Sequence, residues 1–401
     1  MSERPRRLSR RTLLASGAAG AAGLAVGAAG ASAVGKDPDS QDLGRSTVPF
    51  RGAHQAGVTT APQTHATFVA FDLRDDVDAD GLRRLLRIWT DDIERLMSGR
   101  PGLTDTEPEL ASRPDRLTVT VGVGAKVVEV AGAEVPGWLG PLPEFVIDRL
   151  ESRWSGGDLI LQVCSDDELS VSHAVRVLTK EARTFVAVRW VQRGFRGPVK
   201  GPDLPRNLMG QVDGTAAPAA SEHDRLVWVG DGSRQLFGAQ PAWLEGGTTM
   251  VVRRIAMDLD TWDELDRPSR ERTIGRRLKD GRPLTGGSIT DDPDLEARDS
   301  NGLEVIDPFA HVRRARTEDR TQQFLRRPYN YDDPPASGDL TNAGLVFVTF
   351  QADVDRQFIP IQARLAELDL LNQWTTPIGS AVFAILPGTG AGGFLGEALF
   401  S

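Results

Sequence analysis

The chain has 401 residues with 47 Lys and Arg against 56 Asp and Glu, a formal net charge of −9 at pH 7. Such a surface repels nucleic acid and anionic lipid. A single cysteine, Cys164, excludes an internal disulfide and any cysteine-based metal cage, and the length allows one large or two ordinary domains.

Residues 1–33 read as an export address. Ser9-Arg10-Arg11-Thr12-Leu13-Leu14 is a twin-arginine signal, an apolar Ala/Gly-rich run follows from Leu13 to Val34, and Ala31-Ser32-Ala33 offers an A-x-A cleavage site. A retained membrane anchor is the rival reading, but the Gly content is high and the hydrophobicity low, which favours removal after Ala33. The expected partner at this stage is the Tat translocase, and the expected location is extracellular, cell-envelope or periplasmic. No stable membrane insertion and no nucleic-acid partner are expected.

Residues 34–62, rich in Gly, Asp, Ser and Pro, have no period and read as a flexible lead-in. Thr67–Phe71 is a short strand. Leu82, Leu85, Leu86, Trp89, Ile93 and Leu96 then fall at helical spacing within Gly81–Met97. Strands follow at Leu117–Val123 and Asp158–Cys164, with a short helix at Glu144–Leu150 between them. Asp167–Ala182 is a helix with acidic residues at its start and Lys180 near its end, the charge order a helix dipole favours. Phe185–Val191 is the next strand.

The same α+β order recurs in the second half. Gly247–Leu259 and a helix-like segment Trp262–Leu278 open it. An apolar strand Gly344–Phe350, a helix Phe358–Leu368 and a strand Ser380–Leu386 close it. The reading is two ferredoxin-like halves, 63–195 and 225–401, with facing antiparallel sheets, joined by a connecting segment 196–224. A cleft between sheet and helices of the second half is a place for a ligand.

Two stretches carry chemistry. Asn207–Thr215 reads N-L-M-G-Q-V-D-G-T, and taken alone its Asp-Gly pair is a hairpin turn. About a hundred residues on, Asp307-Pro308 is a helix start that would place His311 about one turn in, followed by Arg313, Arg314 and Arg316. Of the five histidines only His311 combines a helix with neighbouring arginines. The chain has no His-x-x-x-His, His-x-His or Cys-x-x-Cys, so dedicated zinc or copper cages have no visible ligands. One imidazole without metal-binding companions points to haem, in which the porphyrin supplies four ligands and an Arg pairs with a propionate.

Gly210-Gln211-Val212-Asp213-Gly214, then His311, then Phe324-Leu325-Arg326-Arg327, resembles the dye-decolourising peroxidase family in motif, order and spacing. The resemblance covers nearly all of the chain after the export address, and it implies the paired ferredoxin-like fold with haem b as cofactor. It implies His311 as proximal iron ligand, Asp213 as distal acid/base and Arg326 as distal arginine. Asp353, with Asp355 two residues away as the alternative, matches the acid that hydrogen-bonds the proximal imidazole, and Arg313, Gly214 and Thr215 are placed at the cofactor. Pro328 stands where the family often has Gly, which leaves the choice between Arg326 and Arg327 open. Tyr329 and Tyr331 are candidates for an electron relay toward the surface, with aromatic packing as the alternative.

The implied activity is oxidation of phenolic, dye-like or other bulky aromatic reductants by hydrogen peroxide through a ferryl intermediate. An aspartate base stays ionised in acid where a histidine base would already be protonated, so acidic pH is expected to favour it. Two other readings stand beside it, a protein that releases iron from porphyrin and a non-catalytic haem-binding module. A homo-oligomer is allowed but not indicated.

Overall fold

The computed structural model describes residues 44–197, 204–213, 217–335 and 338–401. Its strands are β1 (His65–Leu73), β2 (Thr118–Val123), β3 (Leu159–Ser165), β4 (Val186–Phe195), β5 (Thr248–Met257), β6 (Leu325–Arg326), β7 (Tyr329–Asp332), β8 (Ala343–Gln351) and β9 (Thr375–Ile385). They hydrogen-bond in the order β5-β9-β2-β3-β1-β4-β7-β8, and β8 pairs back onto β5, so the sheet closes on itself as an antiparallel barrel. Closure removes the open edges that a sheet of this size would otherwise present.

Each half contributes four neighbouring strand positions in ferredoxin-like order, β2-β3-β1-β4 and β9-β5-β8-β7. Short ladders join the halves, Gly122 and Val123 to Ile385 and Ala384 on one side and Phe195 to Asn330 on the other. β6 and β7 are one strand in a single register on β8, Leu325 opposite Phe350 and Tyr329 opposite Val346. The break between them falls at Pro328, which has no N–H to give the ladder, while the Arg327 N–H still donates to the Val348 carbonyl at 2.8 Å.

Strand alternation divides the core in two. Phe68, Ala70, Ile160, Cys164, Val346, Val348, Phe350 and Phe383 fill the barrel. Val69, Phe71, Leu159 and Leu161 point outward and are covered by helices α1 (Ala79–Met97) and α2 (Glu168–Ala182). Both helices form where the spacing predicts them, and each has an acidic cap: Asp78 accepts from the Gly81 N–H and Asp167 from the Ser170 N–H. Each large apolar side chain taken from water contributes about 1.5–3 kcal/mol, so the covered outer faces hold the helices in place.

Three expectations are corrected. Residues 44–62 of the supposed flexible lead-in are docked. The Gln55 side chain donates to the carbonyls of Val121 and Leu386, stitching β2 to the segment after β9, and Arg51 donates to Gly390 and Gly393. Side chains bonding to backbone leave no hydrophobic period, which is why composition suggested disorder; residues 34–43 lie outside the described residues. Glu144–Leu150 is an irregular loop, fixed by Arg149 and Glu151 N–H groups on the carbonyls of Pro377 and Ile378. The segment 262–278 is broken into α3 (Leu259–Asp263) and α4 (Arg267–Ile274), because Asp266 caps a new helix with Pro268 in its first turn. Among the described residues no helix is long and apolar enough to cross a membrane.

Candidate active site

The site lies outside the barrel wall, beside β6 and β8. Strand alternation sends Arg326 outward and Arg327 into the barrel, where Arg327 bonds to the Thr60 carbonyl and the Gln63 side chain. Arg326 is therefore the guanidinium available to the site. Its Nη2 lies 3.3 Å from Asp213 Oδ1, and the two side chains are 25% and 18% exposed, half-buried but within reach of a small molecule.

Asp213 belongs to a loop in which residues 205–213 take their shape from side-chain bonds. Asn207 Oδ1 accepts the N–H groups of Met209 and Gln211, and the Asp213 N–H donates to the Pro205 carbonyl at 2.9 Å. Gly210 sits at φ +81°, a conformation that favours glycine.

His311 opens α5 (His311–Ala315) instead of lying one turn in. The Asp307 carboxylate accepts from the Phe309 N–H and pairs with Arg272, so Asp307-Pro308 is a turn before the helix. The imidazole Nδ1 is 2.6 Å from Asp369 Oδ2, and Asp369 Oδ1 accepts from the Leu371 N–H, which fixes the carboxylate just beyond α6 (Ile359–Leu368). Burial disfavours the imidazolium, but the charge and hydrogen bond of Asp369 reverse this and hold the imidazole above its ordinary pKa. The charges of Arg326 and Asp213 lie near enough to act on His311 as well, in opposite directions. The His311 side chain is 32% exposed, so the ring is not sealed by its neighbours.

The residues fit a haem. With Nδ1 engaged by Asp369, Nε2 is left to coordinate, and it has no hydrogen-bond partner among the described residues. No group of three or more His, Cys, Asp or Glu among the described residues is gathered around a bare ion. A single imidazole backed by a carboxylate suits a metal that arrives with its other ligands in a ring.

Several sequence expectations part from this geometry. Asp353 does not reach His311; its carboxylate accepts from the Arg356 N–H at the head of a π turn, and burial pushes its pKa up. Asp369 takes the place beside His311. The signal that could have found it is its position as a cap, Asp369 preceding Leu370–Gln373 directly after the helix. Arg313 is turned into the 295–306 loop, donating to the carbonyls of Leu295 and Ile306 with Glu304 at 3.2 Å. Gly214 and Thr215 lie outside the described residues.

Tyr329 and Tyr331 face the barrel interior, opposite to Arg326, and neither reaches the surface. Their hydroxyls are buried without a hydrogen-bond acceptor, and the Arg254 guanidinium lies 4.0 Å over the Tyr331 ring. Burial pushes Tyr331 up to about 12 and moves Tyr329 the same way. Both rings pack in the barrel, and the cation beside the Tyr331 ring makes that phenol harder to oxidise.

Comparison with known proteins agrees with this arrangement. Residues 55–196 match the model of the Dyp-type peroxidase N-terminal domain and residues 204–390 that of the C-terminal domain. A dye-decolorizing peroxidase of Thermobifida fusca is 38% identical over 364 residues, 86% of this chain and 84% of that protein. A deferrochelatase of Yersinia pestis is 34% identical over 378 residues, 88% of this chain and 85% of that protein. The crystal structure of a DyP-type peroxidase from Cellulomonas bogoriensis superposes with a TM-score of 0.86 at 53% identity, covering 90% of this chain and 99% of that one. With both domain models matched along one barrel, the chain belongs to the DyP-type peroxidases, a family of haem enzymes.

Proposed function

We propose that the chain binds haem b through His311 and uses hydrogen peroxide to oxidise phenolic or dye-like aromatic reductants. The observation that carries this reading is the Asp213–Arg326 pair at 3.3 Å, whose charges both act on a carboxylate-backed imidazole. Bound haem would supply the iron at which peroxide is reduced. Asp213 is the base that takes a proton from one peroxide oxygen and returns it to the departing one. Arg326 steadies the negative charge that develops as the oxygens separate. Asp369 orients the His311 ring and makes it a stronger donor to the metal. Export by the twin-arginine route belongs to the same proposal and rests on Ser9–Leu14.

The test is rapid mixing of the haem-loaded protein with hydrogen peroxide, beside Asp213→Ala. Wild type is expected to change its haem absorption within the mixing experiment, and Asp213→Ala to slow that change by about 10²–10⁴-fold. An unchanged rate in Asp213→Ala would remove Asp213 as the base.

Iron removal from haem is a second reading, supported by relatives at 32–34% identity that are named deferrochelatase. Recovery of intact metal-free porphyrin from haem-loaded protein would favour it over peroxide-dependent oxidation.

A further inference from the structure

The proposed base sits in a segment, 205–213, with no helix or named strand, and something outside the segment must place it. The internal bonds of Asn207 give residues 205–213 their shape but do not say where that shape docks. Part of the docking is apolar, since Met209 is buried and the Trp262 Nε1–H donates to its carbonyl at 3.3 Å; the rest comes from Arg206. Its Nη1 donates to the Gly210 carbonyl at 2.8 Å within the loop and to the Leu278 carbonyl at 2.5 Å across from it, and its Nη2 donates to the Lys279 carbonyl at 2.8 Å. All three acceptors are carbonyl oxygens, and no carboxylate pairs with Arg206 among the described residues. Its bonds therefore serve geometry, not charge neutralisation.

The loop it reaches is itself close-packed on the motif. A Cβ added to Gly281 would stand 2.9 Å from the Val212 side chain, so the two loops touch at the residue before Asp213. From the other side, Asn330 Nδ2 on β7 donates to the Arg206 carbonyl at 3.2 Å, tying the same residue to the strand that carries Arg326.

We infer that Arg206 is a positioning residue for Asp213, clamping the 205–213 loop onto the 278–281 loop so that the carboxylate meets Arg326. The inference rests on the reading of Asp213 as the base. A planar fork of donors can reach three carbonyls in different directions; a lysine ammonium on a flexible stem holds such a set less well. A displacement of about 1 Å at a reacting group can cost about 10²-fold in rate.

The test compares Arg206→Ala, Arg206→Lys and Asp213→Ala as haem-loaded proteins. Arg206→Ala is expected to lower the rate constant for hydrogen peroxide by about 10-fold or more, with haem content and the KM for the aromatic reductant unchanged. Amide hydrogen exchange across 205–213 should quicken in the same variant, with or without haem. Added guanidinium ion should restore part of the peroxide rate to Arg206→Ala and none to Asp213→Ala, and Arg206→Lys should restore little. Where Arg206→Ala does not fold, Arg206→Gln, which keeps a shorter amide donor, is expected to show the same loss. A wild-type peroxide rate in the Arg206 variants beside a slow Asp213→Ala would overturn the clamp and leave the function standing. A wild-type rate in Asp213→Ala would instead remove the base on which the clamp depends.

Discussion

The two halves of the barrel each hold a histidine bonded to an aspartate, and the pairs have opposite surroundings. In the N-terminal half His173 Nε2 meets Asp105 Oδ2 at 2.8 Å, with side chains 1% and 0% exposed and the other ring nitrogen, Nδ1, buried without a partner. In the C-terminal half His311 meets Asp369 at 2.6 Å, but a third of the ring stays open and Nε2 is free to bind. The same pair of groups is sealed where α2 and the 102–107 loop hold it, and leaves one ring nitrogen unbonded where His311 stays partly exposed. Residue type does not separate the two; what covers the ring does.

The largest effect that would break this comparison is on cofactor binding. His311→Ala is expected to lower haem affinity by at least about 10²-fold, and His173→Ala to leave it unchanged, as a haem titration followed by absorption would read. Thermal unfolding should give the reverse order. His173→Ala leaves the Asp105 carboxylate buried without its partner and should cost about 3–5 kcal/mol, whereas His311→Ala should cost the haem-free protein less. Haem binding lost equally in both variants would end the distinction.

Next in size is the choice of supporting acid. Asp369→Asn should lower haem affinity or peroxide rate by about 10–100-fold, and Asp353→Asn should leave both near wild type. Equal losses would restore Asp353 to the proximal side.

A smaller effect concerns two acids between α1 and α2, Asp92 and Glu181. Thr104 Oγ1 donates to Glu181 and the Leu103 N–H donates to Asp92, while the second oxygen of Glu181 is buried with no donor and lies within hydrogen-bond reach of the Asp92 carboxyl. Burial first and the Asp92 carboxyl second push Glu181 up to about 8. A folded-state pKa raised above the unfolded value means stability that is full below the ordinary carboxyl range and lost as pH rises through about 8. The unfolding midpoint should therefore fall between pH 5 and pH 9, and Glu181→Gln should flatten that slope. An unchanged slope in Glu181→Gln would assign it to other groups. The smallest effect is expected from Tyr329→Phe with Tyr331→Phe, where turnover of a large dye should stay at wild type; a marked loss would reopen the relay.

Much of this was legible along the chain. Helices α1 and α2 follow from apolar spacing and acidic caps, and the strands from short β-branched runs, because each of those signals is local. The three motif residues, Asp213, His311 and Arg326, were legible as a set because their order and spacing survive in the linear sequence. The docking of residues 44–62 was not, since Gln55 and Arg51 act on carbonyls hundreds of positions away.

The sequence by itself determined which groups are present: one histidine suited to a metal, one acid in a Gly-flanked loop, two adjacent arginines. Tertiary structure decided which of them act together. Strand parity on β8 turned Arg326 toward Asp213 and Arg327 into the barrel. The cap after α6 brought Asp369 to His311, where the sequence pointed to Asp353. Barrel closure put Tyr329 and Tyr331 inside. Each of these depends on direction in space, and a side chain's direction is fixed only when its element has packed.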